Sequence, residues 1–171
     1  MNRPSLRGAF ALLLGLVTPS SELRAEQEPL RVCATTADLG SLVRQIGGDQ
    51  VTLTVFAKPT EDAHFVEAKP SYVKSLHDAD LLVLTGLELE VGYLPVLIRN
   101  ARNERVVRSA PGYVDASAVI EPREVPTGTI DRSQGDVHPF GNPHYLTDPL
   151  NGLRVAALLR DKLGEVRPAR E

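Results

Sequence analysis

The run Asp80-Leu81-Leu82-Val83-Leu84-Thr85-Gly86 constrains the fold more than any other stretch of this 171-residue chain. Its apolar residues do not alternate with polar ones, and it stops at Thr-Gly. Such a run reads as a strand covered on both faces, the situation of a strand inside a parallel sheet. Parallel neighbours need crossover connections, so helices must lie between the strands.

The rest of the chain supplies that alternation. Residues 30–36 (LRVCATT) read as a short apolar strand. Leu39, Leu42, Val43 and Ile46 follow at helical spacing, with Thr35 and Asp38 as a possible capping box and Gly47-Gly48 as the stop. Residues 51–57 (VTLTVFA) alternate and are β-branched, which predicts a second strand. A loop is expected over 58–69, then a helix from Pro70 with Val73 and Leu76 on one face. Residues 91–101 read as a helix and 104–110 (ERVVRSA) as a weaker strand. Residues 116–120 read as another short strand or a surface segment. Four prolines and three glycines in 121–143 make a long loop, a length usually functional or disordered. Thr147-Asp148-Pro149 opens a last helix to about Gly164. The predicted class is α/β, an open, mostly parallel sheet flanked by helices. In such sheets ligands bind beyond the carboxyl ends of the strands.

The first 25 residues differ from the rest. Arg3 and Arg7 precede an apolar core at 9–17, and a polar stretch ends at Ala25. This is the layout of a secretory signal peptide, with a core too short to span a bilayer. Export to the periplasm is expected, with residues 26–171 as the mature part. Cys33 is the sole cysteine, so no internal disulfide is possible. Leu30-Arg31-Val32 before it lack the small residues of a lipid-anchor site, and Cys33 reads as a core residue. The net charge is −3 with no basic, aromatic-rich stripe, which excludes nucleic acid as a partner. A monomer is expected.

Candidate chemistry lies in four histidines. His64 falls in the loop after the second strand, where the sheet rule puts ligand-binding residues. His138 and His144 sit six residues apart in the Gly- and Pro-rich loop. Glu61, Asp62 and Glu67 flank His64, and Asp136 and Asp148 flank His144. Imidazole suits zinc and other divalent transition metals, and a neighbouring carboxylate fixes a ligating ring by accepting its other N–H. His64 and His144 are therefore candidate metal ligands, with His138 as a third. His77, on the helix from Pro70, reads as a partly exposed helix residue. No nucleophile elbow, Walker loop or dinucleotide fingerprint occurs, which argues against an enzyme.

Three stretches resemble the zinc/manganese group of solute-binding proteins of ABC transporters. Residues 61–90 carry Asp62-Ala63-His64, Glu67, Pro70-Ser71, Ala79-Asp80-Leu81 and Gly86 followed by Glu90. Residues 135–149 carry Asn142-Pro143-His144 and Asp148-Pro149. Residues 31–56 resemble the opening strand-helix-strand. The resemblance implies one lobe of a two-lobed periplasmic protein, with His64 and His144 as metal ligands between the lobes. It also implies delivery of the metal to a membrane permease. Val66 and Leu146 stand where many members have an aromatic residue and Trp. The family's other ligands, a His or Glu and an Asp, come from a second lobe, whereas this chain ends at Glu171. The expectation is thus an N-terminal lobe only, with an incomplete site. Zinc is the expected cargo, with manganese as the alternative. A zinc-dependent envelope hydrolase using Glu61 or Asp62 as base, and a remnant that binds nothing, are the competing readings.

Overall fold

The computed structural model describes residues 28–128, 130 and 137–166. The proposed signal peptide and Asp136 lie outside the described residues. Four strands form one parallel sheet in the order β2-β1-β3-β4, with β1 Leu30–Ala34, β2 Val51–Val55, β3 Leu81–Leu84 and β4 Tyr113–Asp115. The helices are α1 Ala37–Gly47, α2 Pro70–Asp78, α3 Leu94–Ala101 and α4 Pro149–Val166. Pairing is in simple parallel register, with Val32 opposite both Leu53 and Leu81 and Val83 opposite Val114.

The two-residue period of the strands divides the core into two layers. Val32 and Ala34 of β1, with Leu81 and Val83 of β3, face α1 and α4 through Leu39, Val43, Val155 and Leu159. Cys33, Leu82 and Leu84 face the other way, against Leu76 of α2 and Leu94 and Leu97 of α3. Every residue of β3 is buried, as its unbroken apolar run predicts. Burial pushes the Cys33 thiol up to about 12, so it is an unreactive core group. Among the described residues no helix is long and apolar enough to cross a membrane.

Three expectations need correction. Residues 104–110 are not a strand. Asn103 Oδ1 accepts from Arg105 N–H at 3.1 Å and starts a 3-10 turn at Glu104–Val106. Val106 is buried there while Val107 is exposed, and the strand comes later, at Tyr113–Asp115. Residues 116–120 hold a 3-10 turn, Ala116–Val119, capped by Asp115 accepting from Ser117 N–H. The capping box also fails. Thr36 is the residue at the α1 N-cap and makes no side-chain cap bond. Thr35 is fully buried, and its hydroxyl donates to Glu90 Oε1 at 2.6 Å. The α4 start is as read: Asp148 Oδ1 accepts from Leu150 N–H at 2.9 Å, with Pro149 at the first helical position.

The chain leaves β1 toward β2 on one side and returns to β3 on the other. The β1/β3 boundary is therefore the switch point where ligands of open α/β sheets bind. Glu90, only 3% exposed, ties this point together. It accepts from Thr35 Oγ1, from Thr85 N–H at 2.7 Å and from Gly86 N–H at 3.2 Å. Thr85 in turn offers its carbonyl to the Tyr145 hydroxyl at 2.6 Å. The histidine loop before α4 is thereby pinned above the carboxyl end of β3.

Candidate metal centre

His64 rides on the loop that leaves the carboxyl end of β2. That loop turns on short local bonds: Glu61 N–H to the Lys58 carbonyl at 2.9 Å and Phe65 N–H to the Asp62 carbonyl at 3.1 Å. Asp62 Oδ1 accepts twice from His64, from its backbone N–H at 2.9 Å and from ring Nδ1 at 2.6 Å. The His64 backbone N–H, and then its ring, hold the Asp62 carboxyl below its usual range. An ionised carboxylate only accepts, so the proton lies on His64 Nδ1 and Nε2 presents its lone pair.

That lone pair meets His138. The two Nε2 atoms are 3.0 Å apart, and the ring centroids 5.1 Å. With His64 Nε2 accepting, His138 Nε2–H is the donor of this bond. A cation held by both nitrogens at zinc–imidazole bond lengths would set them roughly 3.3 Å apart. The observed spacing is therefore a few tenths of an ångström from a chelating pair.

His144 is placed by its own loop. Its N–H donates to Asn142 Oδ1 at 2.9 Å, and its carbonyl accepts from Thr147 Oγ1 at 2.9 Å. Tyr145 next to it is the residue pinned to Thr85. The exposed His144 ring lies 5.4 Å from that of His64. The three sequence-predicted histidines thus line one cleft of about 330 Å³, together with Glu124, Gly141 and Asn142. Among the described residues, no three His, Cys, Asp or Glu side chains are gathered into a ready-made coordination set. His64 and His138 touch, and His144 stands one ring away.

The other candidates fall elsewhere. His77 Nδ1 donates to the Ala101 carbonyl at 2.8 Å, a bond that ties α2 to α3. Glu61 accepts from Lys58 N–H at 3.0 Å and pairs with Lys58 Nζ at 3.2 Å. These bonds lower its carboxyl pKa, the Lys58 backbone N–H most, which suits it poorly to a general base at neutral pH. Asp148 is a helix cap. A larger, mostly apolar cleft of about 630 Å³ beside α3, with Leu94, Ile98, Tyr113 and Phe140 on its walls, carries no imidazole. Sequence reasoning did not single out Glu124. It sits in the Pro-rich loop, where no periodicity reports which side chains turn inward.

An open α/β lobe with imidazoles on loops beyond its strand ends has the architecture of a ligand-binding lobe and the donor chemistry of a transition-metal binder. The chain belongs to the family described as zinc-uptake complex component A, periplasmic, whose model matches residues 32–171. The metal ABC transporter substrate-binding lipoprotein ScbA of Streptococcus cristatus is 26% identical over 166 residues, covering 94% of this chain and 49% of that protein. The high-affinity zinc uptake system protein ZnuA of Paracoccus denitrificans is 34% identical over 89 residues, 52% of this chain and 26% of that protein. Among solved structures, a zinc-bound ZnuA deletion mutant superposes with a TM-score of 0.64 at 24% identity, over 82% of this chain and 48% of that one. The manganese-bound periplasmic metal-binding protein of Candidatus Liberibacter asiaticus gives 0.62 at 22% identity, over 84% and 47%. At these identities the structural likeness is one of fold. The chain spans about half the length of the curated relatives it matches.

Proposed function

We propose that this chain is the N-terminal lobe of an extracytoplasmic solute-binding protein that captures a divalent transition metal for an ABC permease. Residues 1–25 act as the export signal, and 26–171 form the metal-binding lobe. The cargo is Zn²⁺, with Mn²⁺ as the alternative, and the ligands are His64, His144 and His138. The chain is not an enzyme: the captured metal is cargo, and the carboxylates near it orient or attract rather than activate water.

One observation carries the reading. Two imidazoles from different loops meet nitrogen to nitrogen at 3.0 Å, and the first is backed by the carboxylate of Asp62. Ligating histidines are typically held in this way. Family membership supports the same reading, as do relatives named for zinc and for manganese uptake. Imidazole donors favour zinc over magnesium or calcium. Because the His138 N–H occupies the lone pair of His64, metal entry must break that bond, with the His138 proton moving from Nε2 to Nδ1 so that both Nε2 lone pairs face the cation.

Calorimetric titration of the purified chain with Zn²⁺ tests the proposal. His64→Ala and His144→Ala should each abolish most binding, while His77→Ala leaves it intact. Equal binding by all three variants would sink the reading.

A further inference from the structure

Glu124 lines the same cleft as His64, His138 and His144. Its backbone is left-handed, with φ 56°, a strained conformation for a residue with a Cβ. The strain is held in place by Asn142. The Asn142 N–H donates to the Arg123 carbonyl at 2.8 Å, and its side-chain amide donates to Glu124 Oε2 at 2.7 Å. The same side chain, through Oδ1, accepts from His144 N–H. One residue therefore holds both the backbone of His144 and the carboxylate of Glu124.

The close approach of the two loop segments depends on Gly141, at φ 110°. A Cβ there would lie 2.8 Å from the Arg123 carbonyl oxygen and 2.9 Å from Pro122 Cβ. Glycine removes the clash and permits the positive φ, so that 141–144 can lie against 122–124. The amide of Asn142 occupies only one carboxylate oxygen of Glu124, Oε2, and the residue lines the cleft. Ligating carboxylates are themselves held by hydrogen bonds, and this one has its partner already.

Resting on the reading of the cleft as a cation site, we propose that Glu124 is an oxygen donor from this lobe to the captured cation, held by Asn142 alongside His144. The exposed side chains of His144 and Glu124 close on the His64–His138 pair when a cation enters. The donor set is then mixed nitrogen and oxygen. Carboxylate oxygen suits manganese, whereas imidazole suits zinc, so Glu124 widens the cargo toward Mn²⁺.

The test titrates the purified chain with Zn²⁺ and separately with Mn²⁺, as wild type, Glu124→Gln, Glu124→Asp and His64→Ala. Glu124→Gln should lose about tenfold or more in Mn²⁺ affinity and much less in Zn²⁺ affinity, and Glu124→Asp should recover part of the loss. A merely structural role would lower both metals alike, so a parallel loss overturns the proposal. So does a Glu124→Gln variant that matches wild type for both metals while His64→Ala has lost them. Wild type that takes Zn²⁺ but no Mn²⁺ overturns it too. In those cases the cation site stands without Glu124. Absence of binding by the wild type overturns both the donor role and the site.

Discussion

Asp62 is the residue on which the orientation of His64 rests. It bonds both the backbone and the ring of His64, with the shorter contact, 2.6 Å, to the ring. The carboxylate fixes the tautomer and the ring orientation, so that Nε2 faces the cleft partner His138. Asp62→Asn keeps the shape but removes the charge, and its amide can turn a donor toward Nδ1. The expected result is a loss of about 10–100-fold in Zn²⁺ affinity with the fold intact. Competition titration against a chromogenic chelator measures it, and an unchanged constant would refute the role. At this scale much of the candidate cleft is legible in the sequence. His64, His138 and His144 stand out as the imidazoles outside the helices, and Asp62 as the carboxylate two residues before the first. Glu124 is not legible, because its partner Asn142 lies eighteen residues on, across a loop without periodicity. His77, set apart by its place on a helix, bonds to the Ala101 carbonyl away from the cleft.

At the scale of elements, the strands and helices with one dominant period are readable and the short edges are not. β3 and α1 follow from an apolar run and a helical stripe. The last strand is hard to place because Val106 and Val107 look like strand residues, while Asn103 caps a turn at Glu104–Val106 and donates to the Leu76 and Ala79 carbonyls at the end of α2. Thr35 looks like a helix cap because the sequence does not reveal that Glu90, 55 residues on, takes its hydroxyl. That carboxyl joins β1 to the β3–α3 connection, where Leu87 and Glu88 both adopt positive φ. Burial pushes the Glu90 pKa above its ordinary 4.5, against the opposing pull of its hydrogen bonds. A carboxyl with a raised pKa in the fold favours folding while protonated, and that contribution fades as pH rises through the raised value. Relative to Glu90→Gln, the wild type should thus be most stable below pH 4.5 and lose stability as pH rises. Urea midpoints of the two proteins at about pH 4 and about pH 7 check this, and a constant difference between them would refute it.

For the whole molecule, the candidate site joins parts of the chain far apart in sequence. His64 belongs to the loop leaving β2, at one edge of the sheet. His138 and His144 belong to the loop that is pinned above β3 and leads into α4. A cation held by both loops acts as a cross-link between the two ends of the strand-tip face. Binding to the folded state alone also shifts the folding equilibrium by mass action. At a free Zn²⁺ concentration of 100 times Kd this adds about 2.7 kcal/mol, or roughly 5–10 °C in Tm for a domain of this size. Differential scanning calorimetry with zinc should show that rise, and a chelator should reverse it. The same titration on His64→Ala should leave Tm nearly unmoved, because the loop from β2 then has no imidazole to bridge to His138 and His144. An equal rise in His64→Ala would mean that zinc stabilises the protein from somewhere other than a bridge between these loops.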